Sequence, residues 1–225
     1  MSAPTDDLIR QLAAAAAPVR RLLPPWRRAL AWLALVLPYV VLVIWFYPAT
    51  PALSAMHGTR FMIEEFAAAS TAIAAAWAAF ASTVPGSDRR LLWLPLAPLA
   101  LWLATLGTGC VDDWLRTGAG GLALRPDWDC LPPSLLLGWL PLTVMVVMLR
   151  RGAPLRPHLS VLLGALAVAG LVNVGLQTFH IGDVSIMVLF WHLGCGLLLS
   201  VLVGSAGTLV LSWRQARARA LGATP

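Results

Sequence analysis

Residues 29–47 read ALAWLALVLPYVVLVIWFY, nineteen consecutive positions without a charge. A run of about 18 or more apolar residues is long enough for a helix to cross the hydrocarbon core of a bilayer. Five further runs of this kind follow, at roughly 62–84, 91–109, 131–149, 159–178 and 186–212. None shows the alternation of about ten residues that marks a membrane strand. The expected fold is therefore all-α, a polytopic bundle of six transmembrane helices. It occupies residues 29–212, between an N-terminal tail (1–28) and a C-terminal tail (213–225).

Composition points the same way. Of 225 residues, 59% are hydrophobic and 12% charged, and the mean hydropathy is +0.78. Soluble domains carry about 25% charged residues. The first run does not resemble a cleavable signal peptide. A long Arg-containing segment precedes it, and no small-x-small site follows Trp45-Phe46-Tyr47.

All 16 basic residues are Arg, and the formal net charge is +6. Their placement sets the orientation. The N-tail holds Arg10, Arg20, Arg21, Arg27 and Arg28; the second connector Arg89 and Arg90; the fourth Arg150, Arg151 and Arg156; the C-tail Arg214, Arg217 and Arg219. Only Arg60, Arg116 and Arg125 fall on the other side. The positive-inside rule then makes both termini cytoplasmic. There is no basic stripe interleaved with aromatics, so direct nucleic-acid binding is not expected.

Small residues indicate packing. Gly196, Ser200, Gly204 and Thr208 recur every fourth residue in the sixth span, and the second span is Ala-rich from Ala67 to Ala81, which suits a central position. No internal repeat of the kind found in many transporters is visible.

Polar residues inside spans are costly in hydrocarbon unless paired. Glu64 and Glu65 begin the second span, Asn173 and Gln177 share a face of the fifth at a spacing of four, and His192 lies about two turns into the sixth. Cys110 closes the third span and Cys130 opens the fourth, with a polar segment between them. On the outer side these thiols face an oxidising compartment, where a disulfide can persist. They are equally suited to reporting redox state or a thiophilic metal. His180 and His192 could join Cys130 as ligands of a soft or borderline metal, without any tight ligand spacing to support it. No resident cofactor is expected beyond transient binding of such an ion. Cys195 reads as a small buried hydrophobe. The P-loop, HExxH, nucleophile-elbow and dinucleotide motifs are absent, so an enzyme is not expected.

In the N-tail, Thr5 is placed to cap a helix with Asp6 and Asp7 in its first turn. Leu8, Ile9 and Leu12 give that helix an apolar edge. PVRRLLPPWRR follows, with four Arg just before the membrane. Such a helix is marginal alone in water. It is suited either to a partner's groove or, through its Arg residues, to anionic lipid.

Four stretches in register with the spans carry a resemblance: TDDLIRQLAAAAAPVRRLLPPWRRA, GTGCVDDWLRTGAGGLALRPDWDC, RRGAPLRP and FHIGDVSIMVLFWH. Together they resemble the landmarks of the NrsF family of bacterial membrane anti-sigma factors. The resemblance implies a six-helix inner-membrane protein that holds an extracytoplasmic-function sigma factor of the sigma-F type inactive. The contact would be made by the cytoplasmic tail, with Asp7, Leu8, Leu12, Arg20, Arg21, Arg27 and Arg28 as the residues to meet it. Release would follow heavy metal or oxidation.

Family members are similar in using a cysteine before the fourth span, matched by Cys130, and another between the fifth and sixth. Here the second position departs, reading His180-Ile181-Gly182-Asp183, with Met187 in place of a later His, then Trp191-His192. A redox pair between those two loops is thus impossible in this chain. Cys110 with Cys130 remains as a thiol pair, and Cys130 with His180 and His192 as a metal set, unless the sensor is altered or lost. Two rival functions stand beside this one. A membrane thiol oxidoreductase would use Cys110 and Cys130 with a quinone, and a small-solute transporter would use Asn173, Gln177 and His192.

Overall fold

The structure is a computed structural model that describes residues 3–15, 22–46, 58–118, 131–152 and 156–177. Among these residues it is all-helical. In chain order the elements are α1 (Ala3–Ala15), α2 (Pro25–Phe46), α3 (Thr59–Ala81), a 3₁₀ turn (Arg89–Trp93), α4 (Leu96–Thr117), α5 (Leu131–Arg150) and α6 (Pro157–Leu176). Four stretches are helical, long and apolar enough to cross a membrane: Pro25–Phe46, Arg89–Arg116, Pro132–Arg150 and Pro157–Leu176. The expected second span, α3, is not among them, because Arg60, Glu64, Glu65 and a predominance of Ala make it less apolar. The expected sixth span lies outside the described residues, as does its ridge of small side chains.

The helices differ from the expected spans mainly at their ends. α1 begins at Ala3, so Thr5 lies inside it rather than at its cap. α2 begins at Pro25, four residues before the expected span, because proline is favourable in the first helical turn, where its missing N–H is no loss. Arg27 and Arg28 therefore belong to the helix. α4 continues past Cys110 through the polar sequence Val111–Thr117, so Cys110 sits within a helix and not at its end. An ion pair from Arg60 to Asp112 (3.7 Å) ties this extension to the start of α3.

α3 is the central helix. Its Ala67, Ala68, Ala72, Ala75, Ala76, Ala78 and Ala79 are buried, and it packs chiefly on α6, then on α4 and α2. Small side chains let backbones approach closely, which drives helix association where no water is available to be expelled. At Gly170 of α6 an added Cβ would lie 2.9 Å from the Ala68 carbonyl oxygen and 3.2 Å from Ala72 Cβ. The main core joins α2, α3, α5 and α6 around Trp32, Phe80, Leu137, Met145 and Ala167, and a smaller one joins Ala67 and Ala68 to Trp102 and Leu106 of α4.

Along α2 the buried positions are Arg28, Ala29, Trp32, Val36, Val40 and Val43. The opposite face exposes Leu35, Val41, Leu42, Trp45 and Phe46. Apolar surface on that scale is foreign to a soluble monomer and natural in lipid. Side chains join α2 to α5: Trp32 Nε1 donates to the Pro141 carbonyl at 3.1 Å. The Tyr39 hydroxyl donates to the Leu136 carbonyl and accepts from Trp139 Nε1.

Candidate functional site

The helices alternate in direction, which gives the bundle two chemically different ends. At one end lie Arg27 and Arg28, Arg89 and Arg90, and Arg150, Arg151 and Arg156. At the other lie Arg60, Glu64, Glu65, Cys110, Asp112 and Gln177.

At the Arg-rich end, Arg28 is only 5% exposed. Its guanidinium donates to Thr83 Oγ1 at 2.9 Å and to the Met148 carbonyl at 2.5 Å, and it lies over the Phe80 ring at 4.7 Å. One side chain thus holds the beginning of α2 to the ends of α3 and α5. The turn after α5 touches the same point, since a Cβ at Gly152 would lie 2.5 Å from Thr83 Cβ. The hydroxyls of Ser82 and Ser160 share a hydrogen bond at 2.7 Å and tie α3 to α6 at the same level.

Of the residues expected to meet a partner, Arg28 is therefore turned into the bundle, as its place on the buried stripe of α2 dictates. Arg27, one position on, is exposed and stacks on Trp26 at 5.0 Å. Leu8 and Leu12 are exposed on α1 together with Ile9. Asp7 is paired with Arg10 at 3.1 Å, an exposed pair of the kind that contributes little to stability. Arg20 and Arg21 lie outside the described residues.

At the opposite end, Gln177 Nε2 donates to Glu64 Oε1 at 2.8 Å, so the expected polar face of α6 does meet the carboxylates of α3. Glu64 and Asn173 are both buried. Glu65 Oε1, Trp102 Nε1 and Asn173 Nδ2 are buried in this half of the bundle without a hydrogen-bond partner among the described residues. Each such atom costs about 1–3 kcal/mol. This end is tied by the Gln177–Glu64 hydrogen bond and the Arg60–Asp112 ion pair, and it also holds these three unsatisfied buried atoms. Trp102 gave no sign in the sequence of being more than an apolar anchor.

Cys110 is half-buried in α4. Cys130, His180 and His192 lie outside the described residues, so the expected sensor set is represented by Cys110 alone. Among the described residues no group of three or more His, Cys, Asp or Glu is arranged to hold a metal ion.

No curated protein and no solved structure matches the chain. The model of the NrsF family, described as negative regulator of sigma F, matches residues 12–213. That range begins at Leu12 near the end of α1 and covers every described helix after it, and the chain belongs to the NrsF family of negative regulators of sigma F.

Proposed function

We propose that this protein is a multi-pass anti-sigma factor of the bacterial inner membrane. It holds an extracytoplasmic-function sigma factor of the sigma-F type inactive through its cytoplasmic side. It releases that partner when a metal or oxidative signal reaches the periplasmic side. The Arg-rich end is the cytoplasmic one by the positive-inside rule, and the N-terminal tail leads into the start of α2 there.

The observation that carries this reading is the exposed Leu8–Ile9–Leu12 edge of α1 in a chain of this regulator family. An amphipathic helix with an apolar edge of this kind binds by laying it into a groove. In this reading Asp7, Leu8, Leu12, Arg20, Arg21 and Arg27 meet the sigma factor, and Arg28 sets the direction in which the tail leaves the bundle.

Signalling requires two arrangements of the helices that differ in how they present the tail, because a ligand shifts an equilibrium only through differential affinity for its states. Going from mostly off to mostly on takes about 5.5 kcal/mol, which a thiolate–metal site or a new disulfide can supply. Cys110 and Cys130, or Cys130 with His180 and His192, would provide that input at the end that holds the unsatisfied buried atoms of Glu65, Trp102 and Asn173. The role is regulatory, without catalysis or a resident cofactor.

The test is capture of bound proteins from detergent extracts by the intact chain and by the Leu8→Glu/Leu12→Glu variant, identified by mass spectrometry. A sigma factor retained by the first and lost from the second is expected. Equal retention by both would remove the tail from the account, and retention by neither would remove the function.

A further inference from the structure

Among the described residues, Arg28 is a buried cation without an anion. Its partners are a hydroxyl, a carbonyl and a ring, all neutral. A second cation, Arg151, is exposed just after α5, next to Gly152, which packs on the Thr83 that receives Arg28. Burying a charge is costly unless it is paired, and a like charge beside it adds to the cost.

The surroundings supply no remedy. The same end exposes Arg27, Arg89, Arg90, Arg150 and Arg156. Apart from Asp6 and Asp7 of α1, the acid described at this end is Asp88, whose carboxylate accepts from the Arg90 backbone N–H at 2.9 Å.

We propose that this end of the bundle binds the phosphate of an anionic phospholipid, seated against Arg151 beside the buried Arg28. Charge complementarity selects an anion, and the flanks select one that carries acyl chains. Trp26, two residues before Arg28, is 44% exposed, with Leu22 and Leu23 exposed just before it. Trp is enriched where headgroups meet hydrocarbon, and basic pockets between membrane helices on the cytoplasmic side take anionic headgroups. The proposal rests on the membrane placement given above and not on the sigma-factor contact.

The experiment follows thermal unfolding of the purified full-length chain in uncharged detergent. Phosphatidylglycerol, phosphatidylcholine or inorganic phosphate is added at matched concentrations. Phosphatidylglycerol raises the midpoint, and the other two do not. Arg151→Gln, at an exposed position, weakens the apparent affinity for phosphatidylglycerol about fivefold, the effect of one basic residue at a charged bilayer. Arg116→Gln, at the opposite end, leaves it unchanged. Native mass spectrometry of the same variants gives an independent readout in retained phosphatidylglycerol.

Equal shifts with both lipids would overturn the proposal, as would a shift reproduced by inorganic phosphate. So would an Arg151→Gln variant that keeps the full lipid response but no longer captures the sigma factor, which would assign these cations to an acidic protein partner. Loss of lipid response with sigma-factor capture intact would support the lipid site alone.

Discussion

The carboxamide of Gln177 donates to the carboxylate of Glu64 at 2.8 Å, joining the end of α6 to the start of α3 across 113 residues of sequence. With the Ser82–Ser160 hydrogen bond at the other end, it fixes the register of the antiparallel pair at the centre of the fold. Gln177→Leu and Glu64→Leu should each destabilise the protein. A double-mutant cycle of unfolding in detergent should show a coupling of about 1 kcal/mol, between the values usual for hydrogen bonds to charged groups and those between membrane helices. Additive effects would mean that the contact does not hold the helices together.

Two glycine-to-alanine changes should move stability in opposite directions. At Gly170 the new methyl meets the Ala68 carbonyl oxygen at 2.9 Å, so α3 and α6 must separate, at a cost of about 2 kcal/mol. At Gly107 of α4 nothing lies within 4 Å, and Gly→Ala there should be neutral or stabilising by up to about 1 kcal/mol. Unfolding midpoints in detergent compare the two directly.

Arg28→Lys preserves the charge and removes the fork. A single ammonium cannot serve both Thr83 Oγ1 and the Met148 carbonyl with the geometry of a guanidinium. A loss of about 1–2 kcal/mol is expected. Sigma-factor retention should fall as well, although the apolar edge of α1 is untouched. Retention unchanged in a destabilised protein would make Arg28 a packing residue only.

The thiols are tested by release rather than by stability. Cys130→Ser should leave the partner bound when metal or oxidant is added, and Cys110→Ser should do the same only if the two thiols form the redox pair. Partner remaining on the washed membrane after exposure is the readout. Release from Cys130→Ser at the normal level would take that residue out of the sensor.

Helix type and approximate position were legible in the sequence because hydropathy over about 20 residues is a strong signal. Helix ends were not. The extension of α4 past Cys110 runs through the polar sequence Val111–Thr117, where hydropathy gives no signal, and α2 starts early because Pro25 opens it. The spacing of Asn173 and Gln177 marked a polar face on α6 but not its partner, which the structure supplies as Glu64 bonded to Gln177.

The burial of Arg28 looked like one more basic residue of a juxtamembrane cluster. Its phase gives it away, since Arg28, Trp32, Val36 and Val40 lie four apart on the buried stripe of α2 while Arg27 falls off it. Thr83 and Phe80, which receive it, carry no such sign, because their role exists only once α2 and α3 are packed.

The central claim is sequestration at the membrane by the tail. In cells, the fraction of the cognate sigma factor that sediments with membranes should be high with the wild-type protein. It should fall to the level of a strain lacking the protein when Leu8→Glu/Leu12→Glu is expressed in its place at equal membrane abundance. A sigma factor that stays with the membrane in the variant strain, or is soluble in the wild type, would contradict the account.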